Sequence, residues 1–202
     1  MKTLLRWTLS LLLPATLIAQ PAVAYSYPLS SGAIREAYFL GSGDPNKRLE
    51  YFEKYLKRYP VPKSGQYVAS IFFETPYVLV AERVSQSIPN YFAQDAEKDY
   101  LGKPAVCRVR LEIYFGYSST QPSRYDENYS VRLSQQGKEI PIKLKWSEPM
   151  VSADDLGAAA DGFYMTAEFN ADDIDSEASA KVEVIAPDGR NVVENFDLAS
   201  LR

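Results

Sequence analysis

The chain has no histidine and only one cysteine, Cys107, in 202 residues. The first absence removes Ser-His-Asp and Cys-His nucleophilic catalysis, together with the commonest ligand for zinc and copper. The second rules out an intrachain disulfide, so a hydrophobic core has to suffice; at this length it can. There is no P-loop, no dinucleotide fingerprint, no Gly-x-Ser-x-Gly elbow and no Ser-x-x-Lys motif. Excess positive charge is missing as well: 22 Lys and Arg face 26 Asp and Glu, a formal net charge of −4. Such a balance lacks the electrostatic footprint of a nucleic-acid-binding protein and does not suit an anionic membrane surface. Beyond the first two dozen residues no apolar run approaches spanning length; Tyr77 to Ala81 is far too short.

What is present begins with residues 1–24, which read as a secretory signal peptide. Lys2 and Arg6 form a positive n-region, Leu9 to Ala19 an apolar h-region, and Ala22-Val23-Ala24 a small-residue cleavage site. Cleavage is expected between Ala24 and Tyr25, which sends the protein to the periplasm or the extracellular space. Lys2 and Arg6 leave with the signal and no acid does, so the remaining chain is more acidic still.

Four helices are expected. Ser30 and Ser31 suit the start of one that runs to Leu40, with Gly41 and Gly43 ending it. Asp44-Pro45 starts a second, whose apolar face would be Leu49, Phe52, Leu56 and Tyr59, with Pro60 and Pro62 as the stop. Thr75-Pro76 starts a third carrying Tyr77, Val80, Ala81 and Val84, and Ala93 to Tyr100 is a fourth.

Strand signals surround the last two helices and then take over. Tyr67 to Glu74 is aromatic and β-branched. In Val106 to Tyr117, Cys107, Val109, Leu111, Ile113 and Phe115 alternate with Arg108, Arg110, Glu112 and Tyr114, which predicts one buried and one wet face. A hairpin is expected from Tyr129 to Trp146 about Gln136-Gly137-Lys138, with Ile140, Ile142, Leu144 and Trp146 facing one way and Pro141 forcing an edge position or a bulge. Gly162 to Phe169, Lys181 to Ala186 and Arg190 to Phe196 complete seven strands. The last two are joined by Pro187-Asp188-Gly189, a turn whose residues preset and tolerate its dihedrals. The fold expectation is therefore α+β: a helical region over 25–63 packed on a mainly antiparallel, seven-stranded β-sandwich over 64–202, immunoglobulin-like in architecture, with a helical insertion near 75–101. No named family carries enough matching residues to be claimed.

Candidate functional residues are few. Cys107 shares the apolar face of its strand and is expected to be a packed, inert thiol. Asp173, Asp175 and Glu177 have the odd spacing that opens a calcium loop, but Ala178 stands where glycine is needed and Val184 where a bidentate glutamate is needed. A solvated acidic loop is the favoured reading there, with Ca²⁺ as the weaker alternative. Asn128-Tyr129-Ser130 fits a glycosylation sequon. The strongest positive signal is the 15 tyrosines, a residue type enriched at interfaces. Arg108, Arg110, Tyr114, Tyr125 and Tyr129 form the candidate interaction surface. The functional expectation is an exported, non-catalytic interaction or structural protein that binds another protein. The alternative is a carbohydrate-binding module or a glycoside hydrolase working with carboxylates alone, which needs two acids and no histidine.

Overall fold

The computed structural model describes residues 27–87, 89–115, 128–150 and 161–201. The signal segment, Tyr125 and residues 151–160 of the acidic loop that the sequence suggests over Glu148 to Asp161 therefore lie outside the described residues; Glu148 to Met150, expected in that loop, belong to a strand. None of the helices described is long and apolar enough to cross a membrane.

The architecture is α+β, with four helices in the N-terminal half and two antiparallel sheets. Helix α1 spans Ser31–Ser42 and is capped by the Ser30 hydroxyl, which accepts from the Ala33 N–H at 3.1 Å. Gly41 does not end it. A Cβ there would sit 2.3 Å from the Ala81 carbonyl oxygen, so this glycine is what lets α1 lie against α3, Pro76–Ser85. Ile34, Ala37 and Gly41 form the contacting stripe, and Val80, Ala81 and Val84 answer from α3. Helix α4, Ala93–Leu101, closes this small helical core with Ala96.

Helix α2 is shorter than its periodicity predicts. It spans Pro45–Glu53, and the expected last turn is instead strand β1, Leu56–Arg58. Leu56 and Tyr59 match a helical spacing, but Leu56 pairs with Phe72 and the Tyr59 N–H donates to the Ala69 carbonyl. Ladder bonds to a long neighbouring strand outweigh one more turn of a helix already near its C-terminal prolines. Leu49, expected inside, is 59% exposed, while Tyr55, off the predicted face, is fully buried.

The larger sheet has the order β1-β2-β3-β7-β6, and the smaller β5-β4-β8-β9. Here β2 is Tyr67–Glu74, β3 Val106–Tyr114, β4 Ser130–Gln135, β5 Lys138–Ile140 and β6 Leu144–Met150. Strands β7, β8 and β9 are Gly162–Asn170, Ser179–Ile185 and Asn191–Asp197. That makes nine strands among the described residues, against the seven expected. One of the two additions is β1. The other arises because the run predicted as one arm, Glu139 to Trp146, is two strands in different sheets. Pro141 cannot donate to a ladder, so β5 stops at Ile140 and the chain crosses to begin β6. Ile140 is buried but Ile142 and Leu144 are exposed, so the four residues do not share a core face.

The main core lies where the two sheets face each other. Val109, Leu111 and Ile113 of β3 are fully buried, as are Phe163, Met165 and Ala167 of β7 and Val182 and Val184 of β8. Phe73 of β2 meets Phe196 of β9 at 5.3 Å between ring centroids, and Phe163 meets Tyr129 edge-on at 5.7 Å. Cys107 is fully buried in the same core.

Candidate functional site

The alternation that sends Cys107, Val109, Leu111 and Ile113 inward sends Arg108, Arg110, Glu112 and Tyr114 to the opposite face of the larger sheet. Antiparallel register then sets the neighbours of each. One row across the sheet reads Arg58, Ser70, Glu112, Tyr164, Glu148; the next reads Leu56, Phe72, Arg110, Thr166, Trp146; a third reads Glu74, Arg108, Glu168, Leu144. The first two rows, with Glu74 and Arg108 of the third, floor a groove of about 750 Å³, with Leu49 and Phe52 of α2 at one side, Glu82 of α3 at one end and β6 at the other side. A second, smaller cavity of about 280 Å³ between α3 and α4 shares Glu82 and Arg108 with it.

An ion-pair network fixes the floor. Arg108 places Nε and Nη2 each 2.8 Å from Glu168 Oε1 and lays its guanidinium over the Trp146 ring. Arg110 reaches Glu82 Oε1 at 3.0 Å and Glu74 Oε1 at 2.8 Å with the same nitrogen, Nη2, and lies over the Phe72 ring. Only the bond to Glu82 is aligned; the Nη2 hydrogens do not point along the line to Glu74, whose Oε1 has no hydrogen-bond partner. At the edge, Arg58 makes a bidentate pair with Glu53 at 2.5 and 2.7 Å. Glu112 accepts from two hydroxyls, Ser70 Oγ and Tyr114 Oη, each at 3.0 Å. Tyr114 stacks on Tyr67 with centroids 5.7 Å apart.

The Glu74 side chain is 1% exposed. Burial pushes its carboxyl up to about 7; Arg110 and Arg108 pull against burial, while Glu82 and Glu168 add to it. The 2.8 Å approach of Arg110 and this upward displacement point in opposite directions. Burial prevails because a single nitrogen of Arg110 is divided between two carboxylates and is aligned with only one. Burial opposes the charge on Arg110 too, but Glu74 and Glu82 outweigh it and keep the guanidinium protonated. Burial, seconded by the bond to Glu112, pushes the Tyr114 phenol up to about 12.

Glu74 and Glu82 are not arranged as the acid pair of a glycoside hydrolase. Glu74 and Glu82 are close, since both touch one nitrogen, but that nitrogen fills the space between them where a scissile bond and a water would have to sit. The groove offers aromatic surface from Phe72, Trp146 and Tyr164 beside fixed charges of both signs.

Of the residues singled out from the sequence, Arg108, Arg110 and Tyr114 stand together on the outer face of β3. Tyr129 does not join them: it is 3% exposed, packed edge-on against Phe163 in the core, and burial pushes its phenol up to about 12. Its position one residue before β4 turns it inward, so its expected place on the interaction surface is corrected. Asn128 beside it is exposed. In the acidic loop Asp175 Oδ1 accepts the Glu177 N–H at 2.9 Å, and Asp173 Oδ2 lies 3.4 Å from Asn170 Nδ2. Among the described residues no group of three or more acidic or cysteine side chains gathers to hold a metal ion. Sequence reasoning missed Glu74, Glu82, Glu168, Trp146 and Tyr164. One signal was available for Glu74: a lone acid ends the apolar run Tyr67 to Phe73 directly before a Thr-Pro helix start.

No model of a known protein family matches the chain, and no curated protein is similar to it.

Proposed function

We propose that this is an exported, non-catalytic interaction protein that receives its partner in the groove on the outer face of the larger sheet. The observation that carries this reading is the floor itself: Arg110 is wedged between Glu74 and Glu82, beside aromatic side chains that remain accessible. A prearranged floor of this kind lowers the ordering cost of binding, and aromatic and arginine side chains are the residue types that carry binding energy at interfaces. The signal-like segment at 1–24 supports export.

The same proposal takes the two sheets as the halves of an immunoglobulin-like sandwich. What supports it is the strand order. Leaving β1 aside, β2-β3-β7-β6 runs like A-B-E-D, and β5-β4-β8-β9 runs like C′-C-F-G, about one shared core.

The test is a pull-down with the tagged chain from Tyr25 onward against native envelope extract, read by mass spectrometry, beside a Trp146→Ala, Tyr164→Ala double variant. The expected result is one protein enriched at near-stoichiometric yield by the wild type and lost with the double variant. Equal enrichment by both would remove the groove from the function, and turnover of an envelope polymer would replace binding with catalysis.

A second reading has one observation in its favour: the exposed Tyr164 lies beside Trp146 and the carboxylates Glu112 and Glu148, a composition that also suits stacking on sugars. Affinity electrophoresis in gels of soluble polysaccharides separates the two; retardation that Trp146→Ala abolishes would favour carbohydrate.

A further inference from the structure

The charges of the groove do not balance, and two of its acids stand without an ion pair in one row. Arg58 is taken by Glu53, Arg108 by Glu168, and Arg110 by Glu74 and Glu82. Among the described residues neither Glu112 nor Glu148 forms an ion pair; Glu112 is held by two hydroxyls and feels Arg58 only at longer range, and the Glu148 side chain makes no hydrogen bond. These two acids flank Tyr164 directly, because Glu112 pairs with Tyr164 from β3 and Glu148 from β6, and Tyr164 is 41% exposed.

An aromatic face between two uncompensated carboxylates is the chemistry that receives a cation: the ring attracts it through its quadrupole and the acids through charge. A separate feature of the same groove asks for a donor as well. Glu74, buried and lining it, keeps Oε1 without an aligned hydrogen bond, Arg110 Nη2 standing 2.8 Å away but divided with Glu82, so the basic charge already in the groove does not meet all of its acids.

We propose that Glu112, Tyr164 and Glu148 receive a lysine or arginine side chain from a segment of the partner protein lying in the groove. This rests on the groove being the partner site. A neutral sugar would leave both carboxylates uncompensated, and an acidic segment would be repelled by them. A basic peptide meets the charge, and a groove of about 750 Å³ falls in the size range of sites that enclose small ligands.

The chain carries its own reporter. Trp7 lies in the signal segment, so Trp146, in the groove, is the sole tryptophan of the chain from Tyr25 onward. Its fluorescence is titrated with acetyl-tetralysine amide and acetyl-tetraarginine amide, and with tetraglutamate and the neutral, fully N-acetylated chitin tetramer as the other arms. Saturable change is expected with the two basic peptides alone. Glu112→Gln and Glu148→Gln should each weaken it by about fivefold, with loss of most of its salt dependence in the double variant. Glu177→Gln, in the distant acidic loop, should leave it unchanged. Thermal melts of each variant confirm that the fold is retained.

Unchanged affinity in the double glutamine variant, equal response to tetraglutamate, or response to the neutral chitin tetramer alone would each overturn the proposal. So would silence with both basic peptides. If the pull-down partner is nonetheless lost with Trp146→Ala, Tyr164→Ala, the groove remains the partner site and only its preference for a basic segment fails.

Discussion

Glu74→Gln is the substitution that tests the groove floor most sharply. Burial moves the Glu74 carboxyl from an ordinary 4.5 to about 7 in the folded protein. A group that binds its proton more tightly folded than unfolded contributes stability that is full below the unfolded value and is lost as pH rises through the folded one. The loss therefore begins above pH 4.5 and is complete a little above pH 7. The displacement corresponds to a contribution on the order of 3 kcal/mol. Glutamine keeps the shape and an acceptor toward Arg110 but does not titrate. Wild type and variant should be nearly equal in stability at pH 5, and by pH 8 the variant should be the more stable by on the order of 3 kcal/mol. Urea denaturation of both proteins at half-unit intervals from pH 5 to 8.5 measures the difference, and titrating groups remote from Glu74 cancel between them.

The opposite outcome has a definite meaning. If the gap is flat, or if wild type gains on the variant as pH rises, then Glu74 is ionised throughout. The 2.8 Å approach of Arg110 would then dominate over burial, and the misaligned guanidinium would be a better partner than its geometry indicates.

Gly41→Ala should lower the melting temperature, at a cost of about 1–3 kcal/mol typical of overpacking, because the new Cβ meets the Ala81 carbonyl oxygen at 2.3 Å; an unchanged melt would refute the close α1–α3 crossing. Phe163→Ala should cost about 3–5 kcal/mol, since the ring is fully buried between Phe115 and Tyr129, and a loss well under 1 kcal/mol by urea denaturation would remove it from the core. Arg110→Met should destabilise by roughly 1–3 kcal/mol at pH 8, discounted for the one-third exposure of the side chain, and by less at pH 5, where Glu74 takes a proton; equal losses at both pH values would contradict the shared-arginine geometry. Chelation with EDTA should leave the melting curve unchanged, because Asp173, Asp175 and Glu177 do not gather into a cluster; a fall of several degrees would restore the calcium reading.

The period-two alternation from Val106 to Tyr114 made both faces of β3 legible, and with them Arg108, Arg110 and Tyr114. The caps at Ser30, Asp44 and Thr75 marked three helix starts for a local reason, a side-chain oxygen meeting an unsatisfied N–H. What failed was decided at a distance. Leu56 and Tyr59 continue a helical period within their own segment, yet the partner they pair with, β2, lies beyond the following turn. Trp146 has the parity of Ile140, but Pro141 moves it to another sheet, where the same parity faces the groove instead of the core. The groove was invisible for the same reason. Arg110 was plainly on a wet face, but that Phe72 lies on one side of it and Thr166 and Trp146 on the other follows only from register across four strands. A buried acid is informative here because it breaks the local rule: an apolar strand that ends on Glu74 carries that acid out of water and against the arginine face of the strand beside it.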